Sequence, residues 1–280
     1  MPTVVNLNTE KSIIMKHLLF LLLIATAACN NAAKQPETKE EPKLKEENVT
    51  YTGDGVQMNG FLVYEDKDSI RPAVLVVHEW DGLNDYARFR ARELAKLGYV
   101  ALAVDIYGNG KTAPNQDSAL SYSLPFYENP PMAQRRIDAA IAKVKTYPQV
   151  DTNNIAAVGY CFGGGMLLNS VRLGTPLKAI VSFHGTLVGT PANKDLLKAN
   201  ILVCQGGDDP FVTPEEVAKF RKQMDSIGAR YTFKVYDSAR HGFTNPAHTN
   251  NEEPVLYNAK ADSASWKDMI SFFQQTITNK

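Results

Sequence analysis

A cysteine set among glycines, Gly159-Tyr160-Cys161-Phe162-Gly163-Gly164, is the part of this chain best suited to chemistry. The apolar run Ile155-Ala156-Ala157-Val158 precedes it, and a helix-like stretch from Gly165 to Leu173 follows. The pattern reads as a strand, a tight turn and a helix, with a thiol at the apex. Such a turn brings backbone close to backbone, which glycine tolerates and larger residues do not. Only the thiolate attacks, and an ordinary cysteine is a few per cent ionised near neutral pH. The partial positive charge of a helix N-terminus favours that anion. The same window also reads as a plain strand-to-helix turn with a buried thiol, because free cysteine commonly packs as a small apolar residue.

A nucleophile needs a base, and the base needs a group that orients it. The turn matches the nucleophile elbow G-x-S-x-G with cysteine in the serine's place, and that elbow predicts partners in the order nucleophile, acid, histidine. Both partners occur in that order. Gly206-Gly207-Asp208-Asp209-Pro210 follows the strand-like run Ile201-Leu202-Val203-Cys204, and Ala239-Arg240-His241-Gly242-Phe243 follows an alternating run from Arg230 to Tyr236. Alone, Asp209 is an ordinary turn residue and His241 a solvated loop histidine. Together they predict a Cys161–His241–Asp209 set, with His241 taking the thiol proton and Asp209 fixing its tautomer. The Phe162 amide, with one from the loop after Val74–Val77, would receive an oxyanion.

The elements that must position these groups alternate between β and α. Continuous apolar runs at Ala73–Val77, Val100–Val104, Lys178–Phe183 and Asn200–Cys204 suit strands buried on both faces. A strand at Gly60–Tyr64 pairs with one near Val49–Thr52. Helical spacing covers Asp85–Leu97, Met132–Tyr147, a stretch opening at Thr213-Pro214, and Ala259–Thr276. This predicts an α/β-hydrolase fold: a mostly parallel twisted sheet with helices on both faces. Residues 107–130 lack clear periodicity and read as a cap or lid loop.

The loop after Val74–Val77 reads His78-Glu79-Trp80-Asp81-Gly82. Glu79-Trp80-x-Gly82, the Cys161 elbow, Asp209-x-Phe211-Val212 and His241-Gly-Phe243 together resemble the dienelactone hydrolase (carboxymethylenebutenolidase) family, over roughly residues 50 to 278. The resemblance implies a Cys161, Asp209, His241 triad acting through an acyl-enzyme without a cofactor. It gives Glu79 the task of holding the resting thiol, and the Trp80 amide that of second oxyanion donor. It also marks a departure. Family members that cleave dienelactones carry an arginine four residues after the catalytic histidine, where this chain has Asn245. Arg135 and Arg136 read as helix surface. An uncharged ester or lactone is therefore at least as good a substrate as an anionic one, with Asn245 a candidate pocket residue. His184 either lines the pocket or is a satisfied structural histidine. His78 reads as support behind Glu79, and His248 shows no role.

Thirty Lys and Arg balance thirty Asp and Glu, with 44% hydrophobic and 21% charged residues. This is ordinary globular composition, and it gives no basic face for nucleic acid. No set of His, Cys and carboxylates has metal-ligand spacing, and there is no phosphate-cradling loop.

The N-terminus differs in kind. Leu18–Ala25 is an apolar core preceded by Lys16-His17 and followed by Thr26-Ala27-Ala28-Cys29. Residues 1–29 read as an export signal whose small residues before Cys29 resemble a lipobox, with Thr26 where leucine is usual and Met15 an alternative start. Residues 30–48, rich in Lys, Glu and Pro, read as a flexible tether, and 49–280 as a single catalytic domain. With Cys29 acylated, the chain is an exported bacterial lipoprotein facing the periplasm or cell surface, its only membrane contact the lipid. Cys204 reads as an inert core thiol. The rival readings are a thioesterase or peptidase on the same scaffold, and a non-catalytic ligand-binding surface lipoprotein.

Overall fold

A computed structural model describes residues 41–277 of the chain. The expected export signal, Cys29 and nearly all of the expected tether lie outside the described residues. Where the expectation does overlap, it is corrected. Strand β1 spans Leu44–Gly53, so 44–48 are sheet and not tether. Their charges hid the strand because it is an edge, where polar side chains stay in solvent. Glu46 meets the Arg92 guanidinium at 2.6 Å, and Glu47 accepts from the Tyr64 hydroxyl at 2.9 Å.

β1 turns into β2 (Val56–Glu65) through Asp54-Gly55, both at positive φ. That is the chemistry of a two-residue hairpin. β2 pairs antiparallel with β4 (Val100–Val104). The rest of the sheet is parallel: β3 (Arg71–Val77), β4, β5 (Val150–Tyr160), β6 (Ala179–Phe183), β7 (Asn200–Gly206) and β8 (Tyr231–Tyr236). The order across the sheet is β1-β2-β4-β3-β5-β6-β7-β8.

Successive residues of each central strand feed different cores. Leu75 and Val77 join Val104, Ile137 and Met166 on one face, whereas Val74 and Val76 join Leu94, Met269 and Phe273 on the other. Both faces are covered by helices, so β3, β4 and β6 are buried throughout and read as unbroken apolar runs. Helices α1 (Asp85–Lys96) and α6 (Ala259–Thr276) cover one face. α3 (Pro130–Val144), α4 (Phe162–Arg172) and α5 (Pro214–Ser226) cover the other. The expected α/β-hydrolase architecture is observed.

The expected lid loop at 107–130 is also corrected: it contains helix α2, Gln116–Glu128, opened by Asn115, whose side chain accepts from the Ser118 amide at 2.9 Å. Its periodicity was invisible because both faces carry apolar residues. Ala119 and Phe126 are buried, while Leu120, Leu124 and Tyr127 point outward. Pro125 inside it is a further helix-breaking signal. Among the described residues, no helix is long and apolar enough to cross a membrane.

Candidate active site

The site lies beyond the C-terminal ends of β3, β5, β7 and β8, where open parallel sheets gather their functional loops. Cys161 joins β5 to α4 with φ 49 and ψ −115, a conformation that few non-glycine residues adopt. Two glycines permit it. A Cβ at Gly159 would sit 2.4 Å from the Gly163 carbonyl, and one at Gly163 would sit 2.3 Å from the Val77 oxygen. The Gly163 amide donates to the His78 carbonyl at 3.1 Å, which ties the elbow to the β3 loop.

The three residues read from the sequence meet. His241 Nε2 lies 3.0 Å from Cys161 Sγ, and its Nδ1 lies 2.9 Å from Asp209 Oδ2. Asp209 is itself held: Oδ2 accepts from Gln205 Nε2 at 2.6 Å and Oδ1 from the Phe211 amide at 2.9 Å. Cys161 is partly exposed, whereas Asp209 and His241 are buried. Burial opposes charge on His241. The Cys161 sulfur and the Asp209 carboxylate outweigh it and hold the imidazole well above its ordinary value. The arrangement therefore favours the imidazolium form of His241.

Glu79 does not touch the thiol. Its buried carboxylate accepts from Asn245 Nδ2 at 2.6 Å and stands 3.8 Å from His248 Nε2. Asn245 is thus buried and engaged by Glu79 instead of lining open pocket. His248, for which the sequence suggested no role, belongs to this cluster. Nearby Asp81 is pushed up to about 6, chiefly by burial and then by the Glu79 charge. The Trp80 carbonyl accepts from the Tyr107 hydroxyl at 2.6 Å. Among the described residues the Trp80 amide has no backbone acceptor, and the Phe162 amide opens α4, where no carbonyl lies one turn back.

Of the two readings of His184, the geometry matches the satisfied structural histidine. It is fully buried, Nδ1 accepts from the Cys161 amide at 3.1 Å, and Nε2 meets Thr244 Oγ1 at 2.8 Å. Burial keeps it neutral, well below its ordinary value. Thr244 also accepts from Tyr86, whose hydroxyl accepts from Arg90 at 3.1 Å. Arg90 is anchored on Asp262 at 2.5 Å. No sequence spacing signals this chain of contacts, because its members come from four distant segments. His78 is neutral too: burial lowers it to about 4, Nδ1 donates to the Glu79 carbonyl and Nε2 accepts from the Ile106 amide.

Arg136 departs from the expected helix surface. It is buried, and Nη1 donates to the carbonyls of Ile106 and Tyr107 at 2.8 and 2.9 Å. Arg135 stays at the surface, paired with Asp54. Cys204 is a buried free thiol, pushed up to about 12 by burial.

An elbow on a parallel sheet with this order of partners defines a class of hydrolases, and comparison with known proteins names the branch. The dienelactone hydrolase family model matches residues 58–277, and the chain belongs to that family. It is a hydrolase. A protein of Methylorubrum extorquens named "Putative carboxymethylenebutenolidase" is 30% identical over 218 residues, covering 73% of this chain and 72% of that protein. A dienelactone hydrolase-like promiscuous phosphotriesterase from metagenomic libraries is 33% identical with a TM-score of 0.79, covering 85% of this chain and 100% of that one. A dienelactone hydrolase of Anabaena variabilis shares the fold at 18% identity and TM-score 0.60, covering 84% of this chain and 99% of that one.

Proposed function

We propose that this hydrolase cleaves a small uncharged ester or lactone through a thioester acyl-enzyme on Cys161. The observation that carries the reading is His241 lying between Asp209 and Cys161 at 2.9 and 3.0 Å. The Cys161 thiolate attacks the carbonyl carbon, and the oxygen gains charge opposite the Phe162 and Trp80 amides. The tetrahedral intermediate collapses, the carbon–oxygen bond to the leaving group breaks, and the imidazolium of His241 protonates the departing oxygen. Water then gives its proton to His241 while its oxygen attacks the thioester. Cys161 leaves as thiolate and the carboxylic acid departs. Asp209 keeps the imidazole in one tautomer and balances its positive charge.

Glu79 modulates the thiol from outside the pair: with its carboxylate held by Asn245, the sulfur is left to His241. Uncharged substrate is favoured because Asn245 brings no cation and its amide is already committed to Glu79.

The test is intact-mass analysis after mixing the protein with p-nitrophenyl acetate. Acetylation of Cys161, and loss of turnover in Cys161→Ala, supports the reading. Ester turnover that survives Cys161→Ala sinks it, and thioester or short-peptide turnover far above every ester moves the assignment to those classes. Cys29 is proposed as an acylated anchor of an exported protein. The full chain should then partition into the detergent phase of Triton X-114, and Cys29→Ser into the aqueous phase; equal partitioning of both would rule the anchor out.

A further inference from the structure

Two exposed aromatic surfaces flank Cys161. Phe211 stands edge-on to His241 with ring centres 5.1 Å apart, and 54% of it is exposed. Tyr127, 42% exposed, packs on Phe162, the residue next to the nucleophile, with ring centres 5.7 Å apart. Burial and the charge at Cys161 both push the Tyr127 phenol up, which agrees with its place beside the sulfur.

Tyr127 does not end the apolar surface. On α2, Leu124 and Leu120 lie three and seven residues earlier, so all three share one helix face. They are 46% and 56% exposed. At 1.5 Å per residue the stripe extends about 10 Å along the helix from Tyr127 to Leu120. A helix face turned to solvent with two leucines and a tyrosine in register is unusual unless something apolar covers it.

The arginines of the segments that build the catalytic site are committed to other partners. Arg90 is spent on Asp262 and the Thr244 carbonyl, Arg136 on two backbone carbonyls, and Arg240 on the carbonyls of Asn251 and Glu253. Lys111 stands over the Tyr122 ring at 5.6 Å. Against it stand the carboxylates of Glu79 and Asp81 in the loop that carries Trp80.

The chemistry of the site then divides the substrate. The leaving oxygen must reach His241, so the alcohol lies on the Phe211 side. The acyl substituent leaves the same carbon in the other direction.

We propose that the outward face of α2, Tyr127, Leu124 and Leu120, is the subsite for an uncharged aliphatic or aromatic acyl arm, running from Cys161 along the helix. This rests on the hydrolase reading above and extends it to a substrate class: esters with an extended apolar acyl group and a small alcohol.

The experiment uses the full chain and p-nitrophenyl esters of one leaving group with two-, four-, six- and eight-carbon acyl groups, and mono-p-nitrophenyl adipate as the anionic counterpart. kcat/KM should rise about twofold to fourfold per added methylene, the range expected for partial to full burial of each carbon. The adipate should fall at least tenfold below the six-carbon neutral ester. Leu124→Asp and Leu120→Asp, both at exposed positions, should flatten the chain-length slope. Leu124→Met should keep it, and the circular dichroism of all three should match the parent. A slope unchanged in both aspartate variants, or an adipate preferred over the neutral ester, overturns the acyl-arm subsite. Failure of Cys161→Ala to abolish turnover of the two-carbon ester overturns instead the hydrolase mechanism beneath it, so the two failures are separable.

Discussion

The Glu79 carboxylate accepts from the Asn245 amide at 2.6 Å. That donor fixes where the buried carboxylate sits. Removing it leaves His248 Nε2, at 3.8 Å, as the remaining partner, and the lost hydrogen bond to a buried acceptor costs about 1–3 kcal/mol. Asn245→Ala should therefore lower unfolding stability by about that amount and slow the alkylation of Cys161 at pH 7, because a released Glu79 can compete for the sulfur. Glu79→Gln, which keeps a hydrogen-bonding group without the carboxylate, should not slow it. Urea unfolding and alkylation rates read both. Stability and alkylation unchanged in Asn245→Ala would show that the contact is idle.

The amide of the nucleophile donates to His184 Nδ1 at 3.1 Å and to the Phe183 carbonyl at 3.0 Å. Losing the imidazole leaves the Phe183 bond in place, so the cost should be no more than one hydrogen bond, about twofold to fivefold in rate. Because the contact fixes the elbow and not the substrate, His184→Leu should lower kcat with little change in KM. His184→Asn, which can present Oδ1 near the position of Nδ1, should recover part of the loss. A change confined to KM in steady-state kinetics would place His184 in substrate binding and contradict the geometry.

Asp209 bears on the tautomer of His241. Asp209→Asn keeps the shape but offers no anion to Nδ1, and the loss in kcat should be about 10⁴-fold. The folded structure should persist, since the Phe211 amide can still donate to the asparagine oxygen and Gln205 can turn its own buried Oε1 to accept from the new NH2. Full activity in Asp209→Asn would remove it from the mechanism.

How far was this legible in the sequence? The elbow was, because Gly159 and Gly163 are forced by backbone contacts that admit no Cβ. Asp209 and His241 were, because strand ends place them and the chain order is fixed. Helix α2 was hidden by its second apolar face, and the start of β1 by edge-strand charges. The partners of Glu79, the role of His184 and the burial of Arg136 depend on tertiary contacts between segments far apart. Periodicity reports which face of one element is apolar; it does not report what a polar atom on another element will meet.

The buried neutral histidines make part of the stability sensitive to acid. His78 is lowered to about 4 and His184 well below its ordinary value, both by burial. A histidine with a depressed folded pKa gives stability that is present above about pH 6.5 and lost as pH falls toward the folded value. For His78 that is on the order of 3 kcal/mol. Asp81, raised to about 6, works the other way, giving stability below its unfolded pKa that is lost as pH rises through 6. His241, raised beside Cys161 and Asp209, and Asp138 and Asp262, raised by burial, act in the same direction as Asp81, so the histidine contribution is read by difference. Between pH 7 and pH 4.5 the urea midpoint should fall more in the parent than in His78→Gln, and equal changes in both would contradict a buried neutral His78.

The central claim is a Cys161 nucleophile activated by His241, and the direct measurement is the rate of Cys161 alkylation by iodoacetamide at pH 7, read by peptide mass. That rate should fall at least about tenfold in His241→Ala, with Cys204 unlabelled in both proteins. Equal Cys161 rates in the parent and in His241→Ala would contradict it.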